Sequence, residues 1–304
     1  MEKTPELSVV IAAYNHGAYI GETIRSVLRQ KYQDFEVIVL DDGSTDNTKD
    51  VVGSFADPRI RYVYQENSGL PACGRNRGMA LARGRYIALL DGDDYWHEDK
   101  LKRCKAVLDT MPEIGLVCHN AAIVHDGKVT RTTSYMPYRD RMYERLLFGG
   151  NCLHVSGVVL RREIFFDDNF RFSEDKGLFT VEDYEYWLRL SKRCRFHLID
   201  DVLGYYRVTA TGAFLRNTEA NTGNMLRLLE AQCQMLDHHD RSLMRKVRIR
   251  KSTVMCAAGR MYHHQKEFAA ARRWYARALR EYPANYKALV GLIAASIGIR
   301  ILYS

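Results

Sequence analysis

Apolar and polar residues alternate in blocks along the first third of the chain. Residues 7 to 12, LSVVIA, form a β-branched run that stops at Asn15 and Gly17, after which Ile20, Ile24, Val27 and Leu28 recur at the spacing of one helix face. This predicts a strand followed by a helix. The pair repeats at once: Phe35 to Leu40 is a second apolar run, and DDGSTD at 41–46 supplies turn and N-cap chemistry to a helix through Val51 and Val52. Ile60 to Tyr64 predicts a third strand. A loop from Asn67 to Pro71 leads into a helix through Met79, Ala80 and Leu81, and Tyr86 to Leu90 predicts a fourth strand that ends at Asp91. Strands alternating with helices point to a mainly parallel sheet with helices on both faces.

Past Asp91 the pattern changes. Ile114 to Val124, the dipeptide Asp126-Gly127 and the residues from Val129 onward predict a hairpin closed at the Asp-Gly turn. His154 to Leu160 predicts another strand, so the sheet should be mixed there. Tyr184, Trp187, Leu188 and Ser191 restore helical periodicity, and from about Glu219 almost every residue is compatible with helix as far as Pro283. These breaks divide the chain into an α/β domain over 1–218 and a helical domain over 219–304. Within the second, Gly259, Tyr262, Ala271, Tyr275, Ala278 and Pro283 stand at the spacings of a tetratricopeptide helix-turn-helix unit. The segment at about 252–285 resembles one such repeat, with Met255 and Ala258 where Trp and Leu are favoured. A single repeat cannot bury its own apolar face, so it must stack on neighbouring helices, on the first domain or on a second chain. An ordinary helical hairpin is the alternative.

Composition narrows the class. Of 304 residues, 46% are hydrophobic and 27% charged, which suits a packed globular chain and excludes a disordered, collagenous or multi-span membrane one. Seven cysteines scattered from Cys73 to Cys256 without a CxxC pair argue for a reducing, cytoplasmic compartment and against a disulfide scaffold or zinc knuckle. MEKTPELSVVIAAYN does not read as a signal peptide. Charge is uneven: residues 241–304 hold 14 Lys/Arg against Glu267 and Glu281, a net +12 within a total of +8, which leaves about −4 for the rest. Basicity confined to the tail predicts an anionic partner for that region rather than nucleic-acid binding by the whole protein. A solvated basic helix face explains it equally well.

In an open parallel sheet, ligands bind beyond the carboxyl ends of the strands. Two acidic clusters fall there: Asp41 and Asp42 after the second strand, then Asp91, Gly92, Asp93 and Asp94 after the fourth. Asp91 and Asp93 could aim oxygens at one hard cation such as Mg²⁺ or Mn²⁺, which usually shares its shell with substrate phosphates. Either cluster alone reads equally as turn and N-cap chemistry. Together they are harder to dismiss, because carboxylates gathered in one cleft repel unless a cation or donor compensates. Arg75 and Arg77 could neutralise phosphates or simply pair with these aspartates. Glu182-Asp183 precedes a helical run, where the dipole stabilises a carboxylate by about 0.3–1 kcal/mol; brought over a metal-held diphosphate, Asp183 would instead be a general base. His238-His239 and His263-His264 are poor chelators, since adjacent helical residues point about 100° apart. No GxSxG surrounds Ser156 and no GxGxxG follows the first strand, so hydrolase and dinucleotide-dependent redox chemistry lack support.

Four segments taken together carry a family resemblance. LSVVIAAYN at 7–15, DDGSTD at 41–46, GRNRG at 74–78 continuing through ALARGRYIALLDGDD to Asp94, and EDYEYWLRL at 182–190 resemble the inverting family 2 glycosyltransferases over roughly residues 5–210. The resemblance implies the GT-A fold, an α/β, mainly parallel nucleotide-diphospho-sugar transferase sheet. It implies that Ala13, Tyr14, Asn15 and Asp41 line the nucleotide site, with Asp41 at the base, and that Arg75 lies near the nucleotide. By the same carry-over Asp91 and Gly92 touch the ribose or the metal shell, Asp93 with Asp91 binds Mn²⁺ or Mg²⁺, and Asp183 is the catalytic base. The implied donor is a nucleotide sugar, a UDP-sugar first of all, and the implied acceptor a glycan or a polyprenyl-diphosphate-linked one. Where such enzymes often carry YRxH, this chain has Tyr206, Arg207, Val208 and Thr209, so Arg207 either reaches the diphosphate or pairs with an acid. His154, Ser156 and Gly157 stand where similar enzymes shape the acceptor cleft, although a buried strand uses the same residue types. Ala288 to Ile299 is an apolar run shorter than the roughly 20 residues that span a bilayer. Beside Arg272, Arg273, Arg277 and Arg280 it would suit peripheral contact at the inner face of the cell membrane, or else a homodimer or intrachain packing. A non-catalytic scaffold working through the basic C-terminus is the alternative from another class; intact Asp91, Asp93 and Asp183 speak against it.

Overall fold

The β-branched runs of the first third form the parallel core of a sheet. The structure is a computed structural model that describes residues 4–133, 141–165, 171–209 and 217–299. Strands β1 (Leu7–Ala13), β2 (Phe35–Asp42), β3 (Ile60–Gln65) and β4 (Tyr86–Asp91) lie side by side in the order β3-β2-β1-β4, all parallel. Nearly every residue of β1 and β2 is buried, so these strands read as continuous apolar runs instead of alternating ones. Their register aligns the carboxyl ends: Ala13 pairs with Asp41 and Ala12 with Asp91. Helices α1 (Ile20–Leu28), α2 (Thr48–Gly53) and α3 (Pro71–Leu81) make the connections.

Beyond β4 the sheet becomes mixed. Strand β5 (Tyr95–Trp96) and helix α4 (Lys100–Thr110) precede a hairpin of β6 (Ile114–His125) and β7 (Lys128–Thr132), which turns at Asp126 and Gly127, both at positive φ. After α5 (Met142–Gly149) come β8 (Val159–Arg161), the single turn α6 (Arg162–Phe165), α7 (Glu182–Leu190) and β9 (Arg195–Val208). Strand β8 runs antiparallel between β4 and β6, while β9 lies parallel to β6 and antiparallel to β5. The strand expected over 154–160 is thus shorter. Val155–Gly157 form a 3₁₀ turn, because the Ser156 carbonyl is withdrawn from the sheet and accepts from Trp96 Nε1 (2.7 Å) and Lys100 Nζ (2.8 Å).

The chain divides into two compact units, one comprising Met1–Tyr143, Asn151–Lys176 and Glu182–Thr209, the other Glu144–Gly150, Gly177–Val181 and Ala210–Ser304. The boundary expected at 218 adjoins 210–216, which lie outside the described residues. The second unit consists mainly of α8 (Thr218–Cys233), α9 (Arg241–His264), α10 (Phe268–Glu281) and α11 (Tyr286–Ser296). Asn217, Asp240 and Asn285 cap three of them through side-chain oxygens. Its core gathers Met255, Ala271, Trp274, Tyr275 and Ala278, with Gly259 flat against the Tyr275 ring. The inserted segments bind within it: Thr180 Oγ1 donates to Asn221 at 2.9 Å and Asn224 Nδ2 to the Phe179 carbonyl at 2.9 Å. Among the described residues no helix is long and apolar enough to cross a membrane.

Helix α3 is seated unusually close to β1, since a Cβ on Gly78 would lie 2.4 Å from Val10 Cγ1. Val10 is in the core and its χ1 is stiff. Gly78→Ala should therefore destabilise the protein by about 1–3 kcal/mol in urea unfolding, and an unchanged midpoint would show that α3 is free to shift.

Candidate active site

The parallel register brings the loops after β1, β2 and β4 to one edge of the sheet. Asn15 sits at φ 54°, donates its N–H to Ser44 Oγ (2.8 Å) and accepts from Thr45 N (2.8 Å), while Gly17 N donates to Asp46. The first two loops are thereby laced together. Asp41 is buried and accepts from Ser44 N (2.8 Å) and the Tyr62 hydroxyl (2.6 Å). Ala13 is buried beside it in register, and Tyr14 is half-exposed. Asp42 is occupied differently, accepting from Ser68 N and Oγ, which fixes the entry to α3.

At the end of β4, Gly92 is held by its N–H to the Ala12 carbonyl (2.9 Å), and a Cβ there would fall 2.5 Å from His16 Nδ1. Only glycine fits. Asp94 is sealed inside, accepting from Ser156 Oγ (2.5 Å) and Arg207 N (2.8 Å); Ser156 Oγ also receives the Asp91 N–H (3.1 Å). Burial, then the charges of Asp93 and Asp91, push the Asp94 carboxyl well above its usual range. Asp93 is raised as well, chiefly by burial, with His16 pulling it down and Asp91 pushing it up. Arg207 does not point at an open site: Nη1 donates to the Asp93 carbonyl and Nη2 to Glu22, each at 2.6 Å, with the guanidinium near the Tyr19 and Tyr95 rings. It clamps the 91–94 loop to α1.

Arg75 on α3 ties this loop to α7. Its Nη2 donates to Asp91 Oδ1 and its Nη1 to Glu182 Oε1, both at 2.9 Å, with the whole group buried. Burial opposes the charge, but the two carboxylates hold the guanidinium protonated above its ordinary range. The next residue, Asn76, binds both the N–H and the carbonyl of Phe172, securing the segment that leads to α7. Asp183 then falls in the first turn of α7, where it accepts from Tyr184 N (2.6 Å) and Asn151 Nδ2 (3.1 Å). Burial and then the Glu182 charge push its carboxyl up to about 7, against the pull of Arg75. Asp94, Asp91, Asp93 and Asp183 all act on one phenol, that of Tyr206, and raise it after burial has done so. Because Arg75 bonds both Asp91 and the residue before Asp183, the 91–94 loop and the first turn of α7 are neighbours.

Three residues in or under this neighbourhood escaped the sequence reading. His16 is marked only by following Asn15; its Nδ1 is buried without a partner against the 91–94 loop. Tyr206 is marked only by standing beside Arg207. Lys100 is wholly buried, with Nζ 3.4 Å from the centre of the Trp96 ring, and burial lowers its ammonium to about 7. Ser156 and Gly157 are buried in the 3₁₀ turn, and His154 immediately precedes it with its ring nitrogens out of reach of solvent, which lowers the imidazole to about 3. His263 is buried and bonds the Ile299 carbonyl, a structural role. An open cleft of about 900 Å³ flanks α1, lined by Glu22, Arg25, Phe55, Tyr95 and Tyr205, but none of the converging carboxylates lines it.

A parallel-to-mixed sheet with aspartates beyond its carboxyl edge places a ligand site where open α/β sheets bind theirs. The Glycosyl transferase family 2 model matches residues 8–167, and the chain belongs to that family of enzymes. A relative named UDP-Glc:alpha-D-GlcNAc-diphosphoundecaprenol beta-1,3-glucosyltransferase WfaP, from Escherichia coli, is 34% identical over 205 residues, 67% of this chain and 78% of that protein. The chain spans about half the length, or less, of other curated relatives it matches, at 52, 33 and 40%. In fold it is similar to Staphylococcus aureus TarS in complex with UDP-GlcNAc, with a TM-score of 0.66, 18% identity, and 96% of this chain and 90% of that one covered. It is similar too to the mannosyltransferase PcManGT of Pyrobaculum calidifontis in complex with GDP-Man and Mn²⁺, with a TM-score of 0.60, 18% identity, and 97% and 81% covered.

The donor atoms suit a divalent cation of the hard kind. Asp91 and Asp93 offer carboxylate oxygens in a loop with excess negative charge, while among the described residues no three His, Cys, Asp or Glu side chains form a closed metal cage. Two carboxylates completed by phosphate and water are what Mg²⁺ or Mn²⁺ sites of this type use. Removing Arg75 should expose how tightly the loop is held. Arg75→Met leaves Glu182 buried and unpaired and should cost about 3–5 kcal/mol, whereas adding Glu182→Leu should recover part of it. Chemical denaturation of the two variants measures the difference, and equal losses would mean that the pair is not coupled.

Proposed function

We propose that the protein transfers a sugar from a nucleoside diphosphate donor, a UDP-sugar first of all, to a hydroxyl of its acceptor with inversion at the anomeric carbon. The observation that carries this reading is Asp183, a carboxyl poised near neutrality and held through the Glu182–Arg75–Asp91 chain beside the Asp93 loop. Ala13, Tyr14, Asn15 and Asp41 line the nucleoside site, with Asp41 at its floor held by Ser44 N and the Tyr62 hydroxyl. Asp91 and Asp93 would hold Mn²⁺ or Mg²⁺ near the diphosphate, on a loop that Gly92 lets pack against His16. The ion, when bound, neutralises charge developing on the leaving group. Asp183 removes the acceptor proton as the acceptor oxygen forms its bond to C1 and the C1–O bond to the diphosphate breaks. The proton ends on Asp183 and the nucleoside diphosphate departs, so no covalent enzyme intermediate is needed.

For the acceptor we infer a glycan, free or carried on a polyprenyl diphosphate, the second supported by the diphosphoundecaprenol in the name of the Escherichia coli relative. Such an enzyme would work in the cytoplasm, peripherally at the inner face of the membrane. The helical segment over 219–304, with its tetratricopeptide-like hairpin, would then serve recruitment rather than chemistry.

Asp93→Ala should weaken UDP binding in Mn²⁺ by more than the roughly 10-fold typical of losing even an outer-shell partner; unaltered affinity by calorimetry would remove Asp93 from the metal. Asp183→Asn should keep UDP affinity while turnover falls by at least about 100-fold. In the wild type the base must be ionised, so with its carboxyl raised to about 7 the value of kcat/KM should climb with pH through that region and level off above it. A profile already flat at pH 5 would assign the proton to another group.

A further inference from the structure

Helix α11 wears its apolar side chains on the outside. The residues it turns inward are small: Ala288, Gly291 and Ala295 are buried, and a Cβ on Gly291 would fall 2.4 Å from the Tyr275 ring. The large ones face away. Tyr286, Leu289, Val290, Ile293, Ile297 and Ile299 are 48 to 69% exposed, and steps of three and four residues align the helical ones into one stripe. A helix packed on one side only ordinarily presents polar residues to water on the other. Here half of the large exposed hydrophobic side chains among the described residues fall within 286–299.

Charge selects what covers this stripe. Residues 241–304 carry a net +12, and no acidic residue occurs after Glu281. Cations bracket the helix: Lys287 is exposed at its start, and Arg272 Nη1 donates to the Ala295 carbonyl (3.1 Å) at its end. A second copy would bring an equally basic face to meet this one and be repelled. An anionic lipid surface satisfies both features, taking the side chains into its interface while its headgroups meet the lysine and arginines. Eleven residues rise only about 16 Å, half the hydrocarbon thickness, so the helix would lie along the surface and not cross it.

We propose that α11 docks the protein on anionic membrane, its outer stripe buried at the headgroup boundary. The proposal needs neither the donor nor the acceptor assigned above, because vesicle binding is read without turnover. Sedimentation of the full chain with phosphatidylcholine vesicles containing about 30% phosphatidylglycerol tests it, with pure phosphatidylcholine as the comparison. The wild type should pellet with the anionic vesicles and be released by about 0.5 M salt, where the Debye length shrinks to a few ångströms. Leu289→Ser with Ile293→Ser should weaken binding at least about 10-fold with the helical circular dichroism intact; if that pair unfolds, Ile297→Glu at the exposed end of the helix should do the same. No binding to anionic vesicles, or equal binding by the wild type and a folded variant, would overturn the proposal. So would a concentration-dependent dimer by light scattering that Ile293→Ser abolishes, which would give the stripe to a second copy.

Discussion

Arg75 is the fastening on which the candidate site depends. One buried guanidinium engages the end of β4 through Asp91 and the first turn of α7 through Glu182. These elements are about ninety residues apart in sequence, and no strand pairing joins them. A planar cation with fixed donor directions sets distance and orientation together, which a lysine in its place would not do. The position of Asp183 is a consequence of this bond, since it follows Glu182 directly and inherits the angle of α7.

Around that fastening the molecule tolerates crowded negative charge by dividing it. Asp94 is withdrawn from solvent and satisfied by Ser156 Oγ and a backbone N–H, so it shapes the loop and does not compete for a ligand. Lys100 lies beneath, its ammonium held by the Ser156 carbonyl and the Trp96 ring. Arg207 works from the other side, gripping the backbone of Asp93 while its second nitrogen is occupied by Glu22. Asp91 and Asp93 are left with oxygens to offer. The same crowding, acting through burial and Glu182, leaves Asp183 near neutrality.

Much of this was legible in the residues themselves. Continuous β-branched runs announce strands buried on both faces, and acidic clusters directly after them announce the ligand edge, so β1 to β4, Asp41, Asp91 and Asp93 could be placed before any coordinates. Helix α4 was not, because its inward positions include Lys100 and Cys104 and the apolar period is blurred. Strand β9 was hidden by Asp200, Asp201 and Gly204, which interrupt its pattern; the two aspartates are absorbed by a shift in register between His119 and Asn120 of β6. The 3₁₀ turn at 155–157 depends on side chains from β5 and α4 reaching one carbonyl, a tertiary fact that no local pattern encodes. Pairing of Arg75 with an aspartate is one of the two readings the residues allow, and Asp91 bears it out; the reach to Glu182, 107 residues on, is again a tertiary fact.

The helical unit does not coincide with one stretch of chain, since it incorporates Glu144–Gly150 and Gly177–Val181 from within the α/β portion. Phe148 lies by Lys246, and Gly150 by the Arg250 guanidinium. On a ribosome those early segments emerge long before the helices that receive them and must stay unsatisfied until residues near Lys246 and Arg250 have been made. A fragment cut anywhere near residue 218 would sever them from their partners, so the two units cannot be separated by a single truncation without leaving one of them incomplete.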